Sequence, residues 1–250
     1  MKKNKIKYGA ILEARMGSSR LPGKTLKDVY GEPLIKRVID RIKCSGKLNK
    51  VVLATTNNSK DDILAEYARG INTDVFRGSE DNVLERVVLA AEEYSIEHIV
   101  ELHGDNPFLD PEIIDVAIEH YELKNCDYIS NTIEKSFPMG LRVQVFPTIL
   151  LREIYDTIDD PAVNEHVSLY FFENPDIYHI ENLAAPSEIN RPDIRLTVDT
   201  KEDFKFVSKI YSKIINNNLY PNFKTIDVLK IIDQEEIPLI NKNIQSKPVR

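Results

Sequence analysis

Two aspartates and a short run of cations carry the chemistry open to this chain. Asp105 sits in the turn His103-Gly104-Asp105-Asn106-Pro107 directly after an apolar run, and Asp199 follows Leu196-Thr197-Val198 in the same way. Arg15, Arg20 and Lys24 are spread through a segment that also holds Gly17, Ser18, Ser19, Pro22 and Gly23. Gly17, Ser18 and Ser19 can turn their N–H groups toward one point, as an anion nest does, with the three cations around it. A strand feeding such a loop is suited to hold a polyphosphate. Mg²⁺ shared with a nucleoside triphosphate prefers few carboxylates plus phosphate oxygens, so Asp105 and Asp199 are the expected metal ligands. Singly, each aspartate also fits a helix cap or turn former, and the loop also fits a solvated turn. The loop lacks the G-x-x-x-x-G-K-[ST] spacing of ATPase phosphate loops, and no G-x-G-x-x-G fingerprint occurs.

These residues need a scaffold that delivers them to one rim. Apolar residues from Tyr8, broken by Gly9, predict a buried strand running into the cationic loop, where Pro22 rules out a continuous helix. Helical periodicity follows over 33–43, a strand over 51–54 ending at Thr55-Thr56, and a helix capped by Ser59 through Tyr67 with Gly70 as its stop. A strand over 74–76 leads to Arg77-Gly78-Ser79, a helix over 80–94, a strand over 98–102 and a helix over 111–123. Such alternation predicts an α/β fold with a doubly wound, mostly parallel sheet and ligands at the carboxyl ends of its strands.

The pattern loosens after Asp127. Strands are expected over 128–130, over 141–146 with one solvated face, over 177–183 and over 194–198. Helices are expected from Thr148, over 160–172, from the Thr200 cap to 215 and over 225–233, with a mobile polar tail after Pro238. Glu202 falls two residues after Thr200 rather than three, so strict capping-box spacing is missed. With no clean linker, 1–250 reads as one domain. Residues 126–192 form a small mixed α/β excursion within it, expected to serve as acceptor side and oligomer face.

A formal net charge of -7 argues against a generic nucleic-acid binder while leaving room for a local cationic pocket. Cys44 and Cys126 give neither a disulfide framework nor a zinc pattern. Lys2, Lys3, Lys5 and Lys7 precede an apolar stretch that ends at Glu13 and Arg15, too early for a membrane span, and no other run is long enough. A cytoplasmic protein without membrane contact is the expectation.

The segment EARMGSSRLPGK closely resembles the opening of the cytidylyltransferase family that includes 3-deoxy-manno-octulosonate and acylneuraminate cytidylyltransferases. It looks most like the branch named after the spore coat polysaccharide biosynthesis protein SpsF. VVLATT (51–56), VFRGSEDNVLER (75–86), LHGDNPFLDP (102–111), NEHVSLYF (164–171) and RLTVDTKEDF (195–204) continue the match in order. The resemblance implies a Rossmann-like nucleotidyltransferase sheet of the GT-A type and a homodimer. It implies transfer of CMP from CTP to an acceptor oxygen with release of pyrophosphate, supported by Mg²⁺ on Asp105 and Asp199. It further implies that the backbone around Leu12, Ala14 and Arg15 edges the cytosine, with Gly17, Ser18, Arg20 and Lys24 on the triphosphate. Thr55, Arg77, Ser79, His103 and Gly104 would stand near the nucleotide. Arg20, Lys24, Asp105 and Asp199 would carry catalysis.

Departures from the branch concern the acceptor. Its G-L-D-V-E motif is here Gly140-Leu141-Arg142-Val143-Gln144, and Glu13 replaces the Gln common before Ala-Arg. Strand alternation puts Arg142 and Gln144 on one face, which suits a carboxylate, phosphate or phosphonate if that face lines the acceptor pocket. Otherwise Arg142 pairs with a surface Glu. Glu165 and His166 are further acceptor candidates. The leading expectation is a cytidylyltransferase acting on a sugar acid or other small anionic acceptor in surface polysaccharide or related precursor synthesis. A nucleotidylyltransferase using another nucleoside triphosphate, or a phosphorylated or phosphonate non-sugar acceptor, is the alternative. A glycosyltransferase would need a D-x-D-like site that Glu202-Asp203 does not supply, and a mere binding protein would have no use for Lys24, Asp105 and Asp199 together.

Overall fold

Seven strands form one sheet in the order β3-β2-β1-β4-β6-β5-β7 in the computed structural model, which describes residues 5–244. Lys2 and Lys3 lie outside the described residues. The strands are β1 (Ile6–Glu13), β2 (Lys50–Thr56), β3 (Asp74–Gly78), β4 (Ile96–His103), β5 (Tyr128–Ser130), β6 (Gln144–Pro147) and β7 (Ile180–Asn182). β6 alone runs against its neighbours; the other pairings are parallel. This is the mostly parallel α/β sheet expected. Register sets Glu13 beside His103 at the ends of β1 and β4, so the two loops leaving them share one rim.

Helices cover both faces: α1 (Leu34–Ile42), α2 (Asp62–Gly70), α3 (Val83–Glu93), α4 (Pro111–Lys124), α5 (Thr148–Thr157), α6 (Pro161–Glu165), α7 (Leu169–Glu173), α8 (Lys201–Asn216) and α9 (Thr225–Gln234). Their starts are chemically marked. Asn82 Oδ1 accepts from Glu85 N at 2.8 Å to cap α3, and Asp110 Oδ1 accepts from Glu112 N ahead of Pro111 to cap α4. Asp110 also takes the N–H and hydroxyl of Thr225, tying the start of α9 to that of α4. Two apolar clusters, one on each sheet face, bury Leu12, Ile35, Val100 and Phe206 on one side and Ile11, Val88, Phe146 and Phe171 on the other. At about 1.5–3 kcal/mol per buried large apolar side chain, these faces hold the rim in place.

Five expectations need correction. The strand expected over 141–146 is the shorter β6, Gln144–Pro147, and the face expected to be solvated is closed there: Gln144 and Phe146 are as buried as Val145, because helices pack against both faces of β6. Residues 194–198 are not a strand. Their amides bond by turns to Met139 and Asp105 in loops, and Met139–Arg195 is an isolated bridge. The helix expected over 160–172 breaks into α6 and α7 around His166–Ser168. Thr200 does close a capping box, with Asp203 as the partner rather than Glu202. The segment after Pro238 is also anchored where described: Asn241 is buried, and its Nδ2 donates to Arg195 O at 3.0 Å and Asp203 Oδ1 at 2.8 Å.

Candidate active site

The loop after β1 is built around its own backbone. Gly23 N donates to Met16 O at 3.2 Å, Thr25 Oγ1 to Arg15 O at 2.9 Å, and Asp61 Oδ1 accepts from Met16 N at 2.6 Å. Gly23 takes the left-handed φ of 68° that lets the chain turn into Lys24. Ser18 N donates to Met16 O at 2.9 Å, so it does not offer its amide to a shared nest as expected.

The loop after β4 is pressed against the first. Gly104 N donates to Glu13 O at 2.8 Å, and a Cβ on Gly104 would lie 2.7 Å from the Ala14 Cβ. Only glycine fits there, and Asp105 follows immediately. Val198 N donates to Asp105 O at 2.9 Å, which brings Asp199 alongside. The two aspartates therefore converge although far apart in the chain. Lys24 Nζ is 3.0 Å from Asp105 Oδ2, 3.0 Å from Asp199 Oδ1 and 2.7 Å from Val198 O. Asp199 Oδ2 accepts from Arg195 Nη2 at 2.7 Å and lies 3.1 Å from Arg20 Nη2. Burial opposes charge on Lys24, but Asp105 and Asp199 outweigh it and hold the ammonium pKa above the ordinary lysine value. Burial likewise opposes charge on Asp199, while Lys24, Arg20 and Arg195 hold its carboxyl below the usual range.

Two cavities meet at this point. The first, about 420 Å³, is lined by Ala14, Arg15, Gly17, Ser18, Arg20, Lys24, Arg86 and Glu165 among others. The second, about 480 Å³, is lined by Asn131, Lys135, Phe137, Met139, Leu141 and Arg142 among others. His103, Asp105, His166 and Asp199 line both and form the shared wall. Burial lowers the pKa of His103 and of His166, favouring neutral imidazoles at that wall.

Several expected site residues stand elsewhere. Thr55 is fully buried and lines neither cavity; Leu12, expected to contribute backbone only, is buried in β1 one residue before Glu13. Arg77 donates to Thr56 O at 2.9 Å and Asn58 O at 2.8 Å and pairs with Asp62, bracing the turn after β2 rather than facing the first cavity. Ser79 Oγ accepts from Asn82 N, and its carbonyl accepts from Arg86. Gln144 lies behind the second cavity. Its Oε1 accepts from Arg142 Nη2 at 2.9 Å, Ser168 Oγ at 2.6 Å and Tyr128 Oη, so it positions Arg142. Among the described residues Arg142 makes no ion pair with a surface Glu.

Sequence reasoning missed Arg86, Arg195 and Asp203. Arg195 and Asp203 are buried and joined at 2.9 Å, with Asp203 Oδ2 also accepting from Asp199 N and Thr200 N at 3.0 Å each. Thr200 and Asp203, three apart, were the signal for this knot. The floor of the site is polar as well. Glu13, Glu101 and His103 offer atoms within 4.8 Å of one another, and burial, with Glu101 adding, pushes the Glu13 carboxyl up to about 7.

A cationic loop and paired aspartates at the carboxyl rim of a mostly parallel sheet define a nucleotidyltransferase. The comparisons narrow the class: a sequence model described as Cytidylyltransferase matches residues 9–234, and the chain belongs to that family. It is 37% identical to the spore coat polysaccharide biosynthesis protein SpsF of Bacillus subtilis over 81% of this chain and 85% of that one. It is 33% identical to an uncharacterized protein of Methanocaldococcus jannaschii over 98% of each. A cytidylyltransferase structure from Leptospira borgpetersenii superposes with a TM-score of 0.86 at 29% identity, covering 97% of this chain and 100% of that one. Among the described residues no helix is long and apolar enough to cross a membrane.

Proposed function

We propose that this enzyme transfers CMP from CTP to an oxygen of a small anionic acceptor, a sugar acid in the first instance, with release of pyrophosphate. One observation carries the reading: Asp105 and Asp199 converge on a single ammonium beside the cationic loop, at a wall shared with a second cavity holding Arg142. Arg20 and Lys24 would hold the triphosphate, and Ala14, Arg15, Gly17, Ser18 and Gly104 would line the nucleotide. Arg142, braced by Gln144 and Ser168, would receive the acceptor's anionic group. His166 would stand between the two substrates, with Glu165 on the nucleotide side. Holding both substrates across one wall makes attack on the inner phosphorus effectively unimolecular.

The oxygen-rich surroundings of Lys24 fit a hard divalent ion such as Mg²⁺, for which the ammonium is a stand-in. Asp105 and Asp199 would hold it, and the ion would supply charge neutralisation at the phosphates. Residues 126–192 are assigned the acceptor side and the contact of a homodimer, on the exposure of Phe172 and Ile177 there. Sedimentation of a monomer at micromolar concentration would count against that contact. The relative named for spore coat polysaccharide biosynthesis supports a role in making an activated surface-polymer precursor, and that role is proposed for the cytoplasm.

The test is incubation with each of the four common nucleoside triphosphates, Mg²⁺, and a panel of sugar acids, sugar phosphates and phosphonates, read by pyrophosphate release and product mass. A CMP ester of an anionic acceptor is expected. A product carrying another nucleotide, or a neutral acceptor, would overturn the reading.

A further inference from the structure

We propose, on the reading of Asp105 and Asp199 as metal ligands, that Lys24 is a built-in occupant of the divalent-cation position. The protein then takes its metal together with the triphosphate, as one metal–nucleotide complex, and does not bind the free ion. An ammonium has three N–H donors, and those of Lys24 meet Asp105 Oδ2 at 3.0 Å, Asp199 Oδ1 at 3.0 Å and Val198 O at 2.7 Å. These are the carboxylate and carbonyl oxygens a hard cation would use. The other Asp199 oxygen is engaged as well, by Arg195 at 2.7 Å and Arg20 at 3.1 Å. A bare divalent ion must therefore expel a side chain that is only 12% exposed and leave its charge unpaired at the rim.

A triphosphate changes that balance. It brings anionic oxygens to the loop that carries both Lys24 and Arg20, so the ammonium can exchange carboxylate partners for phosphate ones. The flexible four-carbon stem of lysine permits the move. Arg195 does not have that freedom, since Asp203 fixes its guanidinium at 2.9 Å in a buried pair, so Asp199 stays oriented when Lys24 leaves. Lys24 thus has two successive posts, one on the carboxylates and one on the nucleotide.

The experiment is Mn²⁺ binding followed by electron paramagnetic resonance, with no acceptor present, with and without the α,β-methylene analogue of CTP. The wild-type protein is expected to bind Mn²⁺ at least about 100-fold more tightly with the analogue than alone, a difference of about 2.7 kcal/mol. Lys24→Gln is expected to raise nucleotide-free Mn²⁺ affinity about tenfold, while Lys24→Arg, which keeps the charge, does not. Thermal melts confirm that each variant is folded, and the wild-type comparison stands without them. Equal Mn²⁺ affinity with and without the analogue, or no gain in folded Lys24→Gln, would overturn the Lys24 inference alone. If the gained Mn²⁺ binding survives Asp105→Asn added to Lys24→Gln, the assignment of Asp105 as a ligand falls too.

Discussion

The two cavities of this rim, proposed above for nucleotide and acceptor, are built from different materials. On the first, the loops after β1 and β4 are shaped by backbone: a left-handed Gly23, a Gly104 with no room for a side chain, and amide bonds between neighbouring strand ends. On the second, Arg142 is placed by buried side chains, Gln144 of the antiparallel β6 and Ser168 at the start of α7. A pocket shaped by backbone tolerates drift in its lining residues. One shaped by a buried polar cluster changes its preference when a single member changes, because each orphaned polar group costs about 1–3 kcal/mol.

That contrast can be broken by measurement. Asp105→Asn, which touches the point where the sides meet, should lower turnover by about 10³-fold or more while CTP still binds, since it removes an interaction concentrated in the transition state. Near-normal turnover at saturating Mg²⁺ would refute its role. Arg195→Met should destabilise the fold by about 3–5 kcal/mol by leaving Asp203 as an unpaired buried charge, seen as a large drop in the urea midpoint.

Arg142→Ala should cut kcat/KM for the acceptor about 100-fold with nucleotide affinity unchanged, the sharpest separation of the two sides. A matched loss of nucleotide affinity would show that the cavities are not separate in function. Glu13→Gln should act through pH. Between the ordinary carboxyl value and about 7 the folded chain keeps a proton on Glu13 that the unfolded chain has released, so stability falls as pH rises through that window. Gln should flatten that fall in melts from pH 5 to 8. The smallest effect belongs to Arg77→Ala: nucleotide affinity within about threefold of wild type, because Arg77 braces a turn that the first cavity does not include.

The same division explains what was legible in the chain. Alternating apolar strands and amphipathic helices up to Leu123 announced the parallel half, and Gly-Pro turns after them marked Lys24 and Asp105. Beyond Asp127 local signals weaken because tertiary contacts decide. Residues 194–198 have the apolar look of a strand, yet lie beside loops and form no ladder. Gln144 looked like a wall residue because alternation gives the face of a side chain and not what stands in front of it. Arg77 matched a nucleotide-contacting turn but found carbonyls closer by. Arg195 and Asp203 were hidden because a buried charge pair has no period.

Asn241 gives the far end of the chain a stake in the chemistry. By holding the Arg195 carbonyl and the Asp203 carboxylate, it acts as a bolt behind the residue pair that aims Asp199. Shortening the protein after Pro238, or drawing this strip away with a bulky fusion partner, would loosen the aspartate from behind without altering a single group in either cavity.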